Sequence, residues 1–177
     1  MRVLGAVLAG GRSSRFGSDK ALAEYRGVPL IEHAAAALAL QCDAVVIAGH
    51  AHPGLDTVAD WPEPDRGPLG GLAGALDHGS RNGFDLILTC GVDSIGMPAD
   101  LLAQLSPAPA YAASQPVLGL WPAEAAKLLK ELILAPGRHS MLAFAGAIGA
   151  RPVKLTAEPA NVNTREDLAR LEQRHGL

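Results

Sequence analysis

Among the apolar stretches, VLGAVLA at 3–9 and AVVIAG at 44–49 run without a break, and LILTC within FDLILTCGVD at 84–93 is interrupted only by Thr89. A short apolar run with no alternation predicts a strand buried on both faces. Between these runs the period changes. Pro29 opens LIEHAAAALAL, where Leu30, Ala34 and Leu38 recur at helical spacing. Proline suits a first helical turn. GPLGGLAGALDHG at 67–79 predicts a glycine turn running into a helix of small residues. Residues 50–68, rich in Pro, His, Asp and Gly, predict a long loop with one short strand near 57–59.

The second half continues in the same manner. The pattern predicts a short helix at 98–105 and extended chain over 110–120, interrupted by Pro116. Helices are expected at 122–134 and near 138–147, then a short strand at 153–155. Thr164, with Asp167 three residues on, forms a capping box before a last helix. Strands that alternate with helices predict an α/β three-layer sandwich, Rossmann-like, with a mostly parallel sheet and helices on both faces. No repeat or composition break marks a linker, and PAPA at 107–110 is too short to be one. One domain over 1–177 is expected.

Composition sharpens this picture. At 177 residues the chain can build one sizeable core. It is 49% hydrophobic but only 4% aromatic, so Val, Leu, Ile and Ala fill the interior, as in a covered parallel sheet. The net charge of −3 gives no case for nucleic acid or an anionic membrane as partner, so any anion site is local. The apolar N-terminal run is short and soon meets Arg12, Arg15 and Lys20, which argues against a signal peptide. No run is long enough to span a bilayer, and a cytoplasmic protein is expected. Cys42 and Cys90 sit in apolar surroundings with no CxxC and read as reduced core thiols. His50, His52, His78 and His139 are scattered and read as loop histidines. No Ser-His-Asp or Cys-His arrangement suggests a covalent intermediate.

The most polar loop follows the first strand: LAGGRSSRFGSDKAL at 8–22. A glycine-rich strand-to-helix loop can turn its backbone N–H groups onto phosphate oxygens. Arg12, Arg15 and Lys20 add charge there. The loop is neither GxxxxGK[ST] nor GxGxxG. A plain solvated turn is the other reading, and three cations on one loop of a weakly acidic chain favour the anion site.

This string resembles the signature of the molybdenum-cofactor guanylyltransferase group, the MobA-like nucleotidyltransferases. That signature runs LAGG-x-S-x-R-M-G-x-D-K-A, and Phe16 stands here where Met is usual. Further segments match in the family's order: Asp60, seven residues before Gly67; GPLGGLAGAL at 67–76; CGVDSIGMPADL at 90–101; QPVLGL at 115–120; and ANVNTREDL at 160–168. The resemblance implies the nucleotide-diphospho-sugar transferase fold and a guanylyl transfer from GTP to molybdopterin, with release of pyrophosphate. It implies nucleotide contacts at Leu8, Ala9, Gly10, Gly11, Lys20, Asp60, Gly67 and Asp93. It implies catalytic roles for Arg15, Lys20 and Asp93, and Mg²⁺ held by Asp93 with Asn163 and Asn161. Asp93 alone would read as a turn or N-cap residue. The two asparagines are expected on opposite faces of one extended segment, so that only one easily faces the site. They could equally stabilise the turn before Thr164. Gly67, Gly70 and Gly71 would let backbone pass close to the base or ribose, or serve helix–sheet packing. Gly10 points to the guanine-using branch, since cytidylyl-transferring relatives usually carry Ala there. Arg138-His139-Ser140 resembles a basic patch near the acceptor.

The chain departs from the pattern at three places. Ile95 replaces a usual Pro, Ala48 replaces a frequent Asn, and the segment at 107–114 is short and nearly uncharged. Three other readings therefore stay open. One is a same-fold nucleotidyltransferase with another base or acceptor, such as cytidylyl transfer to molybdopterin or to a sugar phosphate. Another is a non-catalytic nucleotide-binding subunit that delivers cofactor. The third is a plain α/β domain. Contacts with molybdoenzymes or other cofactor-synthesis proteins are open as well.

Overall fold

The first apolar run forms β1 (Val3–Leu8), and all six of its residues are buried. The computed structural model describes residues 1–10, 20–64 and 66–175. A 3₁₀ turn at Lys20–Leu22 leads into a tight hairpin of β2 (Glu24–Tyr25) and β3 (Val28–Pro29). Its corner residues Arg26 and Gly27 both have positive φ, the conformation of a two-residue hairpin turn. Pro29 then caps α1 (Leu30–Ala39), one position earlier than the first helical turn. The chain returns through β4 (Ala44–Ala48) and β5 (Asp56–Val58) to α2 (Gly67–Arg81), then β6 (Leu86–Gly91).

A two-residue strand, β7 (Ser94–Ile95), and a short α3 (Leu101–Leu105) follow. Next come β8 (Ala110–Ala112), β9 (Gln115–Pro122), α4 (Ala126–Leu134), α5 (Met141–Ala147) and β10 (Arg151–Val153). The described chain closes with β11 (Ala160–Asn161) and α6 (Arg165–His175). The main sheet has the order β10-β8-β9-β6-β1-β4-β5. Only β9 runs antiparallel, against both β6 and β8. The three-layer, mostly parallel architecture expected from the sequence is the one observed.

Alternation along β1 shows how the layers form. Leu4, Ala6 and Leu8 enter one core with Leu72, Leu76, Trp121 and Phe144. Val3 and Val7 enter the opposite core with Ile31, Leu38, Leu101 and Leu120. Successive strand residues point to opposite faces, so one apolar strand feeds both cores. A third, small core joins Tyr25, Leu30, Val162 and Leu168. It fastens the β2–β3 hairpin to the segment between β11 and α6. Among the described residues, no helix is long and apolar enough to cross a membrane.

Several boundaries differ from expectation. Pro116 lies inside β9, and the break falls at 113–114. The short strand expected at 153–155 runs over Arg151–Val153 instead, because pairing with β8 sets its limits. Gly67 opens α2 with a left-handed φ of +66°, the expected glycine turn into the helix, while Gly70 and Gly71 lie inside α2. His78 is also in α2 and is not a loop residue.

Candidate active site

Strand order reverses at β1: β4 lies on one side and β6 on the other. Open α/β sheets bind ligands in the crevice beyond the strand carboxyl ends at such a point. Leu8, Ala9 and Gly10 leave the sheet there. The Ala9 N–H donates to Ala48 O at 2.9 Å, and the Gly49 N–H to Val58 O at 3.1 Å, so three strand ends are tied together. Asp60, just past β5, is buried to 9% exposure at this junction. A β-carbon at Gly10 would stand 2.9 Å from its Oδ2, and one at Gly49 only 2.6 Å from its Oδ1. The two glycines thus make room for a buried carboxylate beside the first loop. Ala48 is fully buried behind them.

Asp93 does not end its strand as expected. It sits two residues past β6, in the turn before β7. Its carboxylate lies over Gly91, where a β-carbon would meet Oδ1 at 2.6 Å. Lys20 donates from Nζ to Asp93 Oδ2 at 3.1 Å. Both side chains are mostly shielded, with 16% and 25% exposure. Two residues read separately from the sequence are therefore one ion pair at the mouth of the crevice. Gly11, Arg12 and Arg15 lie outside the described residues.

Asn161 is brought to Asp93 by the β7–β11 ribbon, in which it pairs with Ser94. The Val162 N–H also donates to Asp93 O at 3.1 Å. The expectation of opposite faces for Asn161 and Asn163 is corrected here. Residues two apart on extended chain share a face. Val162, between them, is 1% exposed and enters the third core, while both asparagines are exposed. The Asn163 N–H donates to Asp167 Oδ2 at 3.0 Å, as does the Thr164 N–H. The Asp167 N–H returns a bond to Thr164 Oγ1 at 3.1 Å, completing the expected capping box. The backbone donors of Asn163 and Thr164 hold the Asp167 carboxyl below its ordinary value.

Asp93 and Asn161 face a cleft of about 370 Å³. Pro116, Val117, Met141 and Leu142 give it apolar walls. Ser114, Gln115 and Ser140 add hydrogen-bonding groups. The sequence marked the strand at 115–120 but missed Met141 and Leu142; Met141 is buried and Leu142 exposed, and their place directly after Ser140 was the available signal. Ser140 itself accepts from the Ala143 N–H at 3.1 Å. Arg138 and His139 do not line the cleft, and His139 Nε2 bonds to Ala135 O at 2.6 Å.

Gly70 and Gly71 serve packing. A β-carbon at Gly70 would reach Arg66 Cβ at 2.7 Å, and one at Gly71 would press Ala48 Cβ at 3.3 Å. A β-carbon at Gly67 would meet nothing within 4 Å. Ile95 pairs with Ala160 in the ribbon and packs on the third core, which suits a β-branched residue.

The oxygen set fits a hard cation. Asp93 offers one carboxylate and Asn161, which borders the same cleft, one amide oxygen, both hard donors, while Asn163 is tied by its backbone to Asp167. Among the described residues, no group of three or more His, Cys, Asp or Glu could hold a metal. One carboxylate with an amide suits a divalent ion that keeps water and takes phosphate oxygens from its substrate. Both cysteines are free. Burial, and then the nearby Asp43 charge, push the Cys42 thiol up to about 12. Burial, then Asp93, raise Cys90 as well. Burial thus favours the neutral thiol at both positions.

Comparison with known proteins agrees with this geometry. Residues 5–151 match the model of the MobA-like NTP transferase domain. The molybdenum cofactor guanylyltransferase of Rhodobacter capsulatus is 37% identical, over 98% of this chain and 97% of that protein. The enzyme of the same name from Acidiphilium cryptum is 34% identical, over 92% and 90%. The solved structure of molybdopterin-guanine dinucleotide biosynthesis protein A from Archaeoglobus fulgidus superposes with a TM-score of 0.71 at 19% identity, covering 98% of each chain. That last likeness speaks to the fold.

Proposed function

The chain belongs to the MobA-like NTP transferase family, and from that premise we propose that it is a molybdenum cofactor guanylyltransferase acting as one domain over 1–177. It moves GMP from GTP to the terminal phosphate of molybdopterin and releases pyrophosphate. The observation that carries this reading is the Lys20–Asp93 pair at 3.1 Å, set between the first loop and the cleft.

An oxygen of the acceptor phosphate attacks the α-phosphorus of GTP. The new P–O bond forms as the bond to the β-phosphate oxygen breaks, and pyrophosphate carries away the electron pair. The acceptor phosphate is already ionised, so positioning and charge stabilisation do the catalysis rather than a strong base. Leu8, Ala9, Gly10, Gly11 and Gly67 approach the nucleotide through backbone. Asp60, held in the pocket of Gly10 and Gly49, accepts from the base edge. Arg15 and Lys20 meet the phosphate charge. Asp93, Asn163 and Asn161 would hold Mg²⁺, which supplies Lewis-acid polarisation of the phosphates when bound. In this reading the molybdopterin is taken by the cleft beside Asp93, whose apolar wall includes Val117 and Leu142. The proposed compartment is the cytoplasm.

Calorimetry with GTP, CTP and ATP in magnesium tests the reading. GTP is expected to bind most tightly, and Asp93→Ala to weaken it at least about tenfold, as loss of a charged metal ligand does. Tighter binding of CTP would replace the base assignment. Binding of no nucleotide would overturn the proposal.

A further inference from the structure

Asp93 and Asn161 are both carried by a very small element. The β7–β11 ribbon has two residues per strand, with Ala160 opposite Ile95 and Asn161 opposite Ser94. Asp93 immediately precedes one strand. Two short antiparallel strands are marginal on their own, so something outside the ribbon must hold it in place. Part of the answer is the third core, through Val162 and Ile95. That contact lies on the ribbon's far side from the cleft.

On the cleft side, among the described residues, two neighbouring side chains make the link: the Ser114 hydroxyl donates to the Glu158 carboxylate ahead of β11, and Gln115 reaches both strands. Gln115 is the first residue of β9, in the main sheet. Its Oε1 accepts from the Ser94 hydroxyl at 3.2 Å, at the start of β7. Its Nε2 donates to Pro159 O at 2.9 Å, one residue before β11. One amide therefore grips both strands of the ribbon, using its acceptor on one and its donor on the other. Ser94 is 5% exposed, so its hydroxyl is a buried polar group that gains from having a partner. Gln115 also borders the cleft that Asp93 and Asn161 face. Among the described residues, the side-chain hydrogen bonds of Gln115 go to Ser94 and Pro159, while Lys20 reaches the ribbon's edge through Asp93.

We infer that Gln115 is a positioning residue: its amide staples the ribbon to the central sheet and so fixes Asp93 and Asn161 relative to each other at the metal–phosphate position. The inference rests on the proposed reading of those two residues as metal-holding oxygens. Groups that orient a ligand from behind commonly change metal affinity about 10–100-fold when removed. A residue that merely supports the fold would lower stability and weaken all nucleotide binding alike.

The test is calorimetric titration of the full chain with GTP, with and without Mn²⁺, together with a melting curve for each variant. The parent is expected to bind GTP more tightly with Mn²⁺ than without. Gln115→Met, which keeps the length but neither hydrogen bond, is expected to lose about tenfold of that metal-dependent gain. Its metal-free GTP affinity should fall much less, because the Asp60 pocket is built by Gly10 and Gly49 and not by the ribbon. Ser94→Ala should act in the same direction, and the double variant should lose no more than the worse single, since both cut one link. An unchanged metal-dependent gain in Gln115→Met, or an equal loss with and without Mn²⁺, would overturn the inference and leave the function standing. Should Gln115→Met fail to fold, Ser94→Ala removes only a hydroxyl and decides by the same two criteria. A parent with no metal-dependent gain overturns both this inference and the reading of Asp93.

Discussion

Lys20 and Asp93 stand 73 positions apart and meet at 3.1 Å. Each was legible in the sequence as a polar residue at a turn after an apolar strand. Their pairing was not, because it depends on β1 and β6 lying side by side with Val7 opposite Cys90. With substrate bound, Lys20 is proposed to meet phosphate as well as Asp93. Lys20→Ala should then cost turnover on the order of 100-fold, the scale seen when one preorganised charge-stabilising group is lost. Stability should change by about 1 kcal/mol or less, since Asp93 keeps access to water. Equal turnover in variant and parent would remove Lys20 from the chemistry. Asp60 was legible only by its distance from Gly67. Its burial against Gly10 and Gly49 needed the fold. Gly49 has φ of +80°, where any side chain is strained, and a β-carbon there would also stand 2.8 Å from Gly10 Cα. Gly49→Ala should therefore destabilise by roughly 1–3 kcal/mol in urea unfolding and weaken GTP binding by displacing Asp60. Parent-like affinity would show that the carboxylate does not depend on this packing.

At the scale of elements, strands buried on both faces were the clearest feature of the chain. β1, β4 and β6 need no partner to be recognised, because each is a short run made almost wholly of apolar residues. The last helix was equally clear. Thr164 and Asp167 exchange the bonds expected of a capping box, and Thr164→Ala should cost about 1 kcal/mol of stability in urea unfolding. The Asp167 carboxyl is held below its ordinary value of 3.8. A depressed value adds stability above the unfolded value, and that stability is lost as pH falls through the folded one. Acid unfolding of Asp167→Asn should therefore be flatter below pH 3.8 than that of the parent. A parallel acid limb in both would deny the carboxylate this role. Less legible were elements whose limits are set by pairing rather than by pattern. Pro116 sits in β9 because the ladder to β8 shifts register there, from Tyr111 opposite Gly119 to Ala112 opposite Gln115, so no ladder bond is asked of the proline. β10 includes Pro152 because it is an edge strand. The β7–β11 ribbon was invisible, since two residues per strand leave no period to read.

For the molecule as a whole, one reversal of strand order organises the site. The loop after β1 leaves at the reversal, Asp60 arrives from the β5 side, and Asp93 from the β6 side. The sequence anticipated this gathering because each motif follows a strand on the same edge of a parallel sheet. It anticipated Ser140 and the strand at 115–120 on this side but not Met141 and Leu142 in the wall of the cleft. Met141, Leu142 and Ser140 come from the start of α5, far along the chain from the glycine-rich loop, and only the antiparallel return of β9 places that helix beside Asp93. The short segment before Gln115 thus still forms one side of a cleft of about 370 Å³. The most direct test of the account is to incubate the protein with molybdopterin, GTP and magnesium and to analyse the products by mass spectrometry. The account predicts molybdopterin guanine dinucleotide and pyrophosphate in equal amounts, with CTP giving little product. Intact GTP and molybdopterin after many hours, under conditions where GTP is bound, would contradict it.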